Sequence, residues 1–371
     1  MNEILVDLRK LSTKPSGIGY YIYSFVKYMM KMDEIKVYGI TDVLISNEIK
    51  ELKLNGLVIY EYGVEVSKSI QVFKYNKFIK RVINRGKFNY FWQPNFIIPK
   101  GFNNFQETKN IITIHDISPV IDKEFYSKIY RIYFKIFLNR SIKASDIILY
   151  DSKFSKESTE NNFTKAKNKK NIVTYIPFKR EDGIHKQNDN NYFLYIGNVE
   201  KRKGVHLLID AYTRYLELGG EKDLLIAGGL RDKSINKKIE LLNSRFHKKI
   251  TYLGYIDENK KLQLINDSTA VVFPSFSEGF GIPPLETIFM NKKTIVSNIS
   301  VLKEVLEDGA MYFDLNVKDY AESVENLVNA LMNISNFNID YEKILNLEEK
   351  YNYENIVKNF LNILWDFRKR E

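Results

Sequence analysis

The feature that most constrains the fold of this 371-residue chain is a strand–helix alternation that runs twice, with one polar interruption. Short apolar runs typical of buried strands alternate with amphipathic helical patterns. Such alternation predicts parallel sheets with helices on both faces. Residues 179–191 are polar and aperiodic, which indicates a linker between the two series. We therefore predict an α/β protein of two doubly wound parallel-sheet domains.

The first series predicts helices over residues 19–32 and 126–144. Its strands are predicted at residues 4–7, 36–40, 90–93, 111–114 and 147–150. The second series predicts strands at 192–196, 222–227, 250–252, 270–274 and 293–297, and helices at 204–218, 235–245, 259–267 and 284–290. The predicted domains are 1–178, a linker at 179–191, and 192–352, followed by a helix at 353–371 that packs back on the first domain.

The charge of the chain is unevenly distributed. Residues 1–180 contain 31 lysine and arginine residues against 17 carboxylates, whereas the rest contains 25 against 29. A basic half suits nucleic acid, an anionic membrane or a phosphorylated substrate, and it also fits a lysine-rich composition with solvated charges. There is no cysteine, which excludes disulfides, thiolate metal sites and cysteine nucleophiles. The sequence has no run of 18 apolar residues, so we expect neither a transmembrane helix nor a signal peptide. We therefore expect a cytoplasmic protein.

The most specific motif is Phe273-Pro-Ser-Phe-Ser-Glu-Gly-Phe-Gly-Ile-Pro-Pro-Leu-Glu286, which ends a predicted strand and opens a helix. A helix start favours anions through its free N–H groups and its dipole. Glycines at 279 and 281 allow the backbone to approach a ligand closely. Glu278 and Glu286 bracket the turn, and carboxylates suit the hydroxyls of a sugar or ribose. The motif therefore indicates a site for an anion with hydroxyl groups.

A second motif, Gly197-Asn-Val-Glu-Lys-Arg-Lys-Gly204, lies between a predicted strand and helix. Adjacent cations at the end of a strand suit a diphosphate, and arginine can bind its oxygens bidentately. Two weaker motifs lie in the first series. Gly17-Ile-Gly19 opens a helix, and His115-Asp116 follows an apolar strand.

These motifs together resemble retaining glycosyltransferase family 4, with its GT-B fold of two Rossmann-like domains facing an interdomain cleft. The resemblance implies an acceptor-binding first domain and a second domain that binds a nucleoside-diphosphate sugar. Glu286 would bind the ribose and Glu278 the donor sugar, while Arg202 and Lys203 would hold the diphosphate and stabilise its departure. The rest of the implied donor site comprises Gly17, Gly19, Asn198, Tyr255, Ile256, Gly279, Phe280, Gly281 and Ile282.

The resemblance also gives His115 a contact with the donor sugar, and Asp116 would orient His115 or help to bind acceptor. Some relatives carry arginine at the position of Asn198, so diphosphate binding rests on fewer charges here. Asn291-Lys292 departs from the small turn of many members. We expect no cofactor and no metal site, since the sequence lacks Asp-x-Asp, His-x₃-His and thiolates.

The implied function is retaining, metal-independent transfer of a hexosyl group, best matched by GDP-mannose or a related donor. The acceptor would be a glycan or a polyprenyl-diphosphate-linked saccharide in bacterial lipopolysaccharide or capsule synthesis. Two alternatives are another GT-B enzyme, such as a nucleotide-sugar epimerase, and a basic nucleic-acid-binding protein; no recognition motif supports nucleic acid as a partner. Residues 68–87 and 128–143 interleave aromatic and aliphatic residues with lysine and arginine. They fit either peripheral docking on the inner face of the plasma membrane or ordinary helices with solvated lysines.

Overall fold

A computed structural model of the chain describes residues 2–13, 17–66, 69–98, 107–178 and 188–369. It separates into two compact units, one of Met1–Lys179 with Tyr351–Glu371 and one of Arg180–Lys350. Most of the predicted linker, residues 179–187, lies outside the described residues. Among the described residues, no helix is long and apolar enough to span a membrane.

Unit 1 is built on a seven-stranded, entirely parallel sheet. The strands are β1 (Asn2–Asp7), β2 (Ile35–Thr41), β3 (Val58–Glu61), β4 (Tyr90–Gln93), β5 (Lys109–Ile114), β6 (Ile147–Tyr150) and β7 (Lys170–Val173). Their order across the sheet is β3-β2-β1-β4-β5-β6-β7. The five predicted strands are present, and the structure adds β3 and β7 at the two edges. The central strands β4 and β6 are buried along their whole length because helices cover both faces.

The helices of unit 1 follow the predicted alternation. They are α1 (Gly17–Met29), α2 (Asn47–Leu54), α3 (Ser69–Arg85), α4 (Ser118–Ile121), α5 (Lys128–Ala144) and α6 (Lys153–Asn162). Side-chain oxygens of Ser46, Ser127 and Ser152 cap α2, α5 and α6 by accepting a backbone N–H of the first turn. Apolar residues of α3 and α5 share one buried cluster with strands of the sheet.

Unit 2 repeats this architecture with a six-stranded parallel sheet. Its strands are β8 (Tyr192–Ile196), β9 (Asp223–Ala227), β10 (Ile250–Gly254), β11 (Ala270–Phe273), β12 (Thr294–Ser297) and β13 (Met311–Phe313), in the order β10-β9-β8-β11-β12-β13. Its helices are α7 (Val205–Glu217), α8 (Ser234–Arg245), α9 (Glu258–Asp267), α10 (Ile282–Phe289), α11 (Ser300–Leu306), α12 (Tyr320–Asn333) and α13 (Tyr341–Lys350). Strand β13 and helices α11, α12 and α13 were not predicted from the sequence.

The C-terminal helix α14 (Tyr353–Lys369) belongs to unit 1. Tyr353 stacks on Tyr28 of α1 with ring centroids 4.4 Å apart, and Phe360 meets the edge of Phe25 at 5.9 Å. Tyr90 Oη donates a hydrogen bond to the carbonyl of Leu364 at 2.8 Å. The aromatic face of α14 is therefore part of the core of unit 1.

Candidate functional site

The second sheet has a topological switch point between β8 and β11. The chain proceeds outward from β8 to β9 and β10 on one side and continues from β11 to β13 on the other. Ligands in such sheets bind outside the carboxyl ends of the two central strands, where the connections that leave these strands run in opposite directions. The loops that leave these ends are residues 197–204 and 274–281, which are the two most specific sequence motifs.

The two loops fit against each other so closely that only glycine is accommodated at position 204. Gly204 has φ +71°, and a Cβ atom on it would lie 1.8 Å from the carbonyl oxygen of Pro274. The backbone N–H of Phe276 donates to the carbonyl of Arg202 at 2.9 Å. These contacts hold Arg202 and Lys203, in a short 3₁₀ turn (Lys201–Lys203), beside the second loop.

Glu278 is at the centre of an ionic cluster between these loops. Its side chain is only 8% exposed, and Oε2 accepts a hydrogen bond from Lys203 Nζ at 2.5 Å. Oε1 accepts from Ser275 Oγ at 2.7 Å. Arg202 Nη1 lies 3.9 Å from the same carboxylate and donates to the carbonyl of Ser277 at 2.9 Å. Both motifs are thus joined into one site with fixed charges.

The cluster keeps Glu278 ionised despite its burial. Burial alone would raise the pKa of Glu278. The charges of Lys203 and Arg202, with hydrogen bonds from Lys203 and Ser275, outweigh burial and hold this pKa below its ordinary value. The site therefore combines two cations with one buried carboxylate, an arrangement able to bind phosphate and hydroxyl groups side by side.

The turn into α10 depends on Gly281 and two prolines. Gly281 has φ +99°, and a Cβ atom there would lie 2.6 Å from Leu302 Cδ2. Phe280 is buried, while Gly279 and Ile282 are partly exposed. Pro283 and Pro284 lie in the first turn of the helix and carry no N–H. This turn offers fewer anion-binding N–H groups than a helix start without prolines, so more of the anion binding is left to the two cations.

Glu286 lies one turn into α10 and has a partner that the sequence did not reveal. Lys261 of α9 lies 3.0 Å from Glu286 and 2.6 Å from Glu258, and only 16% of its side chain is exposed. Burial lowers the pKa of Lys261, but the two carboxylates raise it overall. Tyr255, 70% exposed, and the half-buried Ile256 follow β10, and Asn198 is exposed beyond β8. All these residues lie in loops that follow strands of the second sheet or in the first two turns of the helices after those loops.

In unit 1, Gly17 and Gly19 form the start of α1, with Gly19 buried.

His115 follows β5, and both of its ring nitrogens form hydrogen bonds. Nδ1 lies 2.6 Å from Asp151 Oδ2, and Nε2 lies 2.7 Å from the carbonyl of Pro94. Burial would lower the pKa of His115, but the charge and hydrogen bond of Asp151, with the Pro94 carbonyl, raise it. A contact between His115 and a sugar would have to replace one of these two hydrogen bonds.

Asp116 does not orient His115, contrary to one of the two roles considered for it. Its Oδ1 accepts the backbone N–H of Ser118, the first residue of α4, at 3.0 Å, and so stabilises the turn that leads into this helix. Asp151 orients the histidine instead. Strand register explains this pairing: Ile114 is paired with Tyr150 across β5 and β6, so the residues that follow them lie side by side. Among the described residues, no group of three or more histidine or carboxylate side chains is arranged to hold a metal ion.

The sequence is similar to a known protein family over the region of this site, and to individual proteins over a larger part of the chain. Residues 178–343 match the family model described as Glycosyl transferases group 1. The O-antigen chain mannosyltransferase RfbU of Salmonella typhimurium is 25% identical, with 95% of this chain and 97% of that protein covered. The O-antigen chain mannosyltransferase B of Escherichia coli is 28% identical over 61% of each chain.

Solved structures share the fold across the whole chain. Sucrose-phosphate synthase from Thermosynechococcus elongatus superposes with a TM-score of 0.73 at 12% identity, covering 100% of both chains. The Anabaena protein HepE, solved with UDP and glucose, gives a TM-score of 0.70 at 13% identity over 99% of this chain and 100% of that one. These are GT-B structures, and the predicted fold class is confirmed. Residues 178–343 therefore resemble the glycosyl transferases group 1, and the chain is similar in sequence to O-antigen mannosyltransferases.

Proposed function

We propose that this glycosyltransferase transfers a mannosyl group, with retention of anomeric configuration, from GDP-mannose or a related nucleoside-diphosphate hexose. The acceptor is a glycan or lipid-linked saccharide in the synthesis of a bacterial cell-surface polysaccharide. The observation that carries the proposal is the Glu278–Lys203–Arg202 cluster at the switch point of the second sheet. The relatives named as O-antigen mannosyltransferases support mannose as the transferred sugar.

In this proposal each charged group of the cluster has a separate role. Arg202 and Lys203 bind the donor diphosphate and stabilise the charge that develops as it leaves. Glu278 accepts hydrogen bonds from the hydroxyls of the donor sugar, and Glu286 from the ribose. Within unit 2, the remainder of the donor site is formed by Asn198, Tyr255, Ile256 and residues 279–282.

Two fixed cations supply the charge that a divalent metal provides in other transferases, so we propose that transfer needs no metal. The reaction would be dissociative, with front-side attack by the acceptor hydroxyl assisted by the departing phosphate. Both oxygens of Glu278 already accept hydrogen bonds from Lys203 and Ser275. This favours a binding role for Glu278 over a nucleophilic one. We assign His115 a positioning role, because its ring forms hydrogen bonds with Asp151 and with the Pro94 carbonyl.

Helix α5 supports a peripheral contact between unit 1 and an anionic membrane. Its 17 residues include five lysines or arginines and no carboxylate. Three isoleucines on one side are unusually exposed: Ile129 at 83%, Ile132 at 61% and Ile136 at 61%. A basic helix with an exposed apolar ridge fits the interface of an anionic bilayer. Such docking on the cytoplasmic face would bring a lipid-linked acceptor to the enzyme.

The test is a panel of nucleotide sugars incubated with the protein and a mixture of lipid-linked and free saccharides, with and without EDTA. We expect GDP-mannose to be consumed in both conditions and the product to keep the α-configuration by NMR. Inversion would disprove the retaining mechanism, and loss of turnover with EDTA would disprove metal independence. A free 2-epimeric nucleotide sugar as the product would instead identify an epimerase.

A further inference from the structure

A second charged cluster lies in unit 2, outside the two loops that meet at the switch point. Helix α9 begins with Glu258, directly after the loop that follows β10. Lys261, one turn later in α9, contacts two carboxylates. Its Nζ lies 2.6 Å from Glu258 Oε1 and 3.0 Å from Glu286 Oε2 of α10. One ammonium group therefore holds the start of α9 beside the carboxylate that we propose binds the ribose.

The side chain of Lys261 is held between these carboxylates instead of being solvated. Only 16% of it is exposed, compared with 22% for Glu286 and 58% for Glu258. Burial lowers the pKa of Lys261, but the two carboxylates and their hydrogen bonds raise it overall, so the lysine is charged at neutral pH. Two carboxylates and one ammonium group carry one net negative charge. The cluster therefore attracts hydrogen-bond donors and disfavours a phosphate.

Glu258 presents a carboxylate of defined orientation to solvent. Lys261 fixes its Oε1, and Oε2 accepts no hydrogen bond from the described residues. This pairing restricts the rotation that an exposed glutamate otherwise has, so less entropy is lost when a ligand binds. A carboxylate only accepts hydrogen bonds, and its two oxygens together can accept two parallel N–H groups. Glu258 is thus suited to a ligand with two adjacent N–H donors.

Among the nucleobases, guanine has this pattern of donors. Its N1–H and N2–H groups are adjacent and parallel, whereas uracil has a single N–H between two carbonyl oxygens that a carboxylate would repel. The N2 amino group also lies on the sugar edge of guanine, the side on which the ribose carries its 2′-hydroxyl. A carboxylate for the base and a carboxylate for the ribose therefore have to be neighbours, as Glu258 and Glu286 are through Lys261.

We infer that Glu258 selects guanine as the base of the nucleotide donor. Its carboxylate accepts hydrogen bonds from guanine N1–H and N2–H, and so contacts the substrate directly. Lys261 is a positioning residue that holds Glu258 and Glu286 at the spacing of base and ribose. The assignment rests on the proposed function, which puts the nucleotide at this end of the second sheet, and it adds the residue that determines the base.

The experiment compares the binding of GDP, IDP and UDP to the full chain by isothermal titration calorimetry. IDP lacks only the N2 amino group of GDP, so the ratio of their dissociation constants isolates the hydrogen bond of that group. We expect the wild type to bind GDP about tenfold more tightly than IDP, and UDP more weakly than either. In Glu258→Ala the preference for GDP over IDP should disappear. Glu240→Ala, at an exposed position of α8, is the matched control and should keep the preference.

Lys261→Met tests the positioning role. Loss of the ammonium group should reduce the preference for GDP over IDP several-fold, and likewise the preference for GDP over its 2′,3′-dideoxy form. A lysine that only stabilises the fold would change the affinity for all these ligands by one factor and leave both ratios unchanged. That outcome would remove the positioning role. Lys260→Met, at the exposed neighbouring position in α9, is the control and should retain both preferences.

Equal affinity of the wild type for GDP and IDP would overturn the inference without any variant. Tighter binding of UDP than of GDP, or a GDP preference that survives in Glu258→Ala, would also overturn it. These outcomes leave nucleotide binding, and with it the proposed transferase, intact. Failure of the wild type to bind any nucleoside diphosphate would instead remove the proposed function and the base assignment with it. If Glu258→Ala does not fold, as judged by its denaturation curve, Glu258→Gln replaces it and should reduce the GDP preference several-fold.

Discussion

The two sheets have the same strand order around their first strand. The loops at their two switch points, however, are arranged differently. In unit 2 the loops after β8 and β11 meet through Gly204, and their charged side chains satisfy one another around Glu278. In unit 1 a cavity lies at the carboxyl ends of β1 and β4, and donors on Gln93 and Arg140 in its lining have no partners in the described residues.

The difference shows that topology determines where a ligand site forms but not what it binds. A tight, ion-paired site is prepared for a charged ligand that replaces one ion pair with another. The open cavity of unit 1 instead keeps buried donors that no described residue satisfies. The variants below are chosen to weaken one unit while leaving the other intact.

The largest expected effect is from Lys203→Met, which removes the partner of Glu278 and a proposed diphosphate ligand. We expect kcat/KM for donor turnover to fall by about 10²–10³-fold. Lys201→Met, in the same turn but exposed, is the control and should stay within a few-fold of wild type.

The pH profile sharpens this prediction. The depressed pKa of Glu278 means that its stabilising contribution is present at neutral pH and is lost only as the pH falls through that depressed value. Removing Lys203 removes the main favourable charge, so the acid limb of both stability and activity should move to higher pH. An unchanged acid limb in Lys203→Met would show that protonation of Glu278 does not produce this limb.

Gly204→Ala tests the close approach of the two loops. The new Cβ would collide with the Pro274 carbonyl and also strain a positive φ. We expect a loss of about 3 kcal/mol in the free energy of unfolding together with loss of nucleotide binding. Gly219→Ala, at φ +88° with no atom within 4 Å of the added Cβ, should cost only about 1 kcal/mol. Equal losses in the two variants, measured by chemical denaturation, would remove loop contact as the cause.

Asp151→Asn tests the hydrogen bonds of His115 in unit 1. Because the pKa of His115 is raised in the folded state, its contribution is complete below the unfolded pKa and is lost as pH rises through the folded value. The variant should lose about 2 kcal/mol at pH 6 and less at higher pH. Denaturation curves at several pH values provide the measurement. A loss that is independent of pH would indicate that the imidazole is neutral.

The smallest effect is expected from Ile132→Asn on the exposed ridge of α5. Flotation with vesicles rich in phosphatidylglycerol at low salt should show binding weakened several-fold. Leu241→Asn, at a position 73% exposed on α8 of unit 2, is the control and should bind like wild type. Failure of the wild-type protein to bind anionic vesicles would disprove membrane docking.

Most of the fold follows from the sequence because its central strands are continuous apolar runs. Residues 90–93, 147–150 and 192–196 were predicted with the bounds that the structure has. The strands that were not predicted are β3, β7 and β13, all at sheet edges and no longer than four residues. Edge strands are partly exposed, so their composition differs little from that of loops.

The sites were less predictable because ionic partners come from distant segments. Lys203 and Glu278 stood out as motif residues, but Lys261 lies 25 positions before Glu286 in an ordinary helix. Asp151 could have been found from the alignment of the ends of β5 and β6, had strand order been known. The unit 1 cavity could not be located from one motif, since its lining comes from seven separate segments brought together by the sheet.

The central claim is that unit 2 binds the diphosphate of a donor through the cations beside Glu278. The direct test is a titration of wild type and Lys203→Met with guanosine, GMP and GDP, repeated with the uridine series. We expect the wild type to prefer the diphosphate, and we expect Lys203→Met to lose at least tenfold of that preference while binding the nucleoside equally well. The same preference for diphosphate in both proteins would contradict the account.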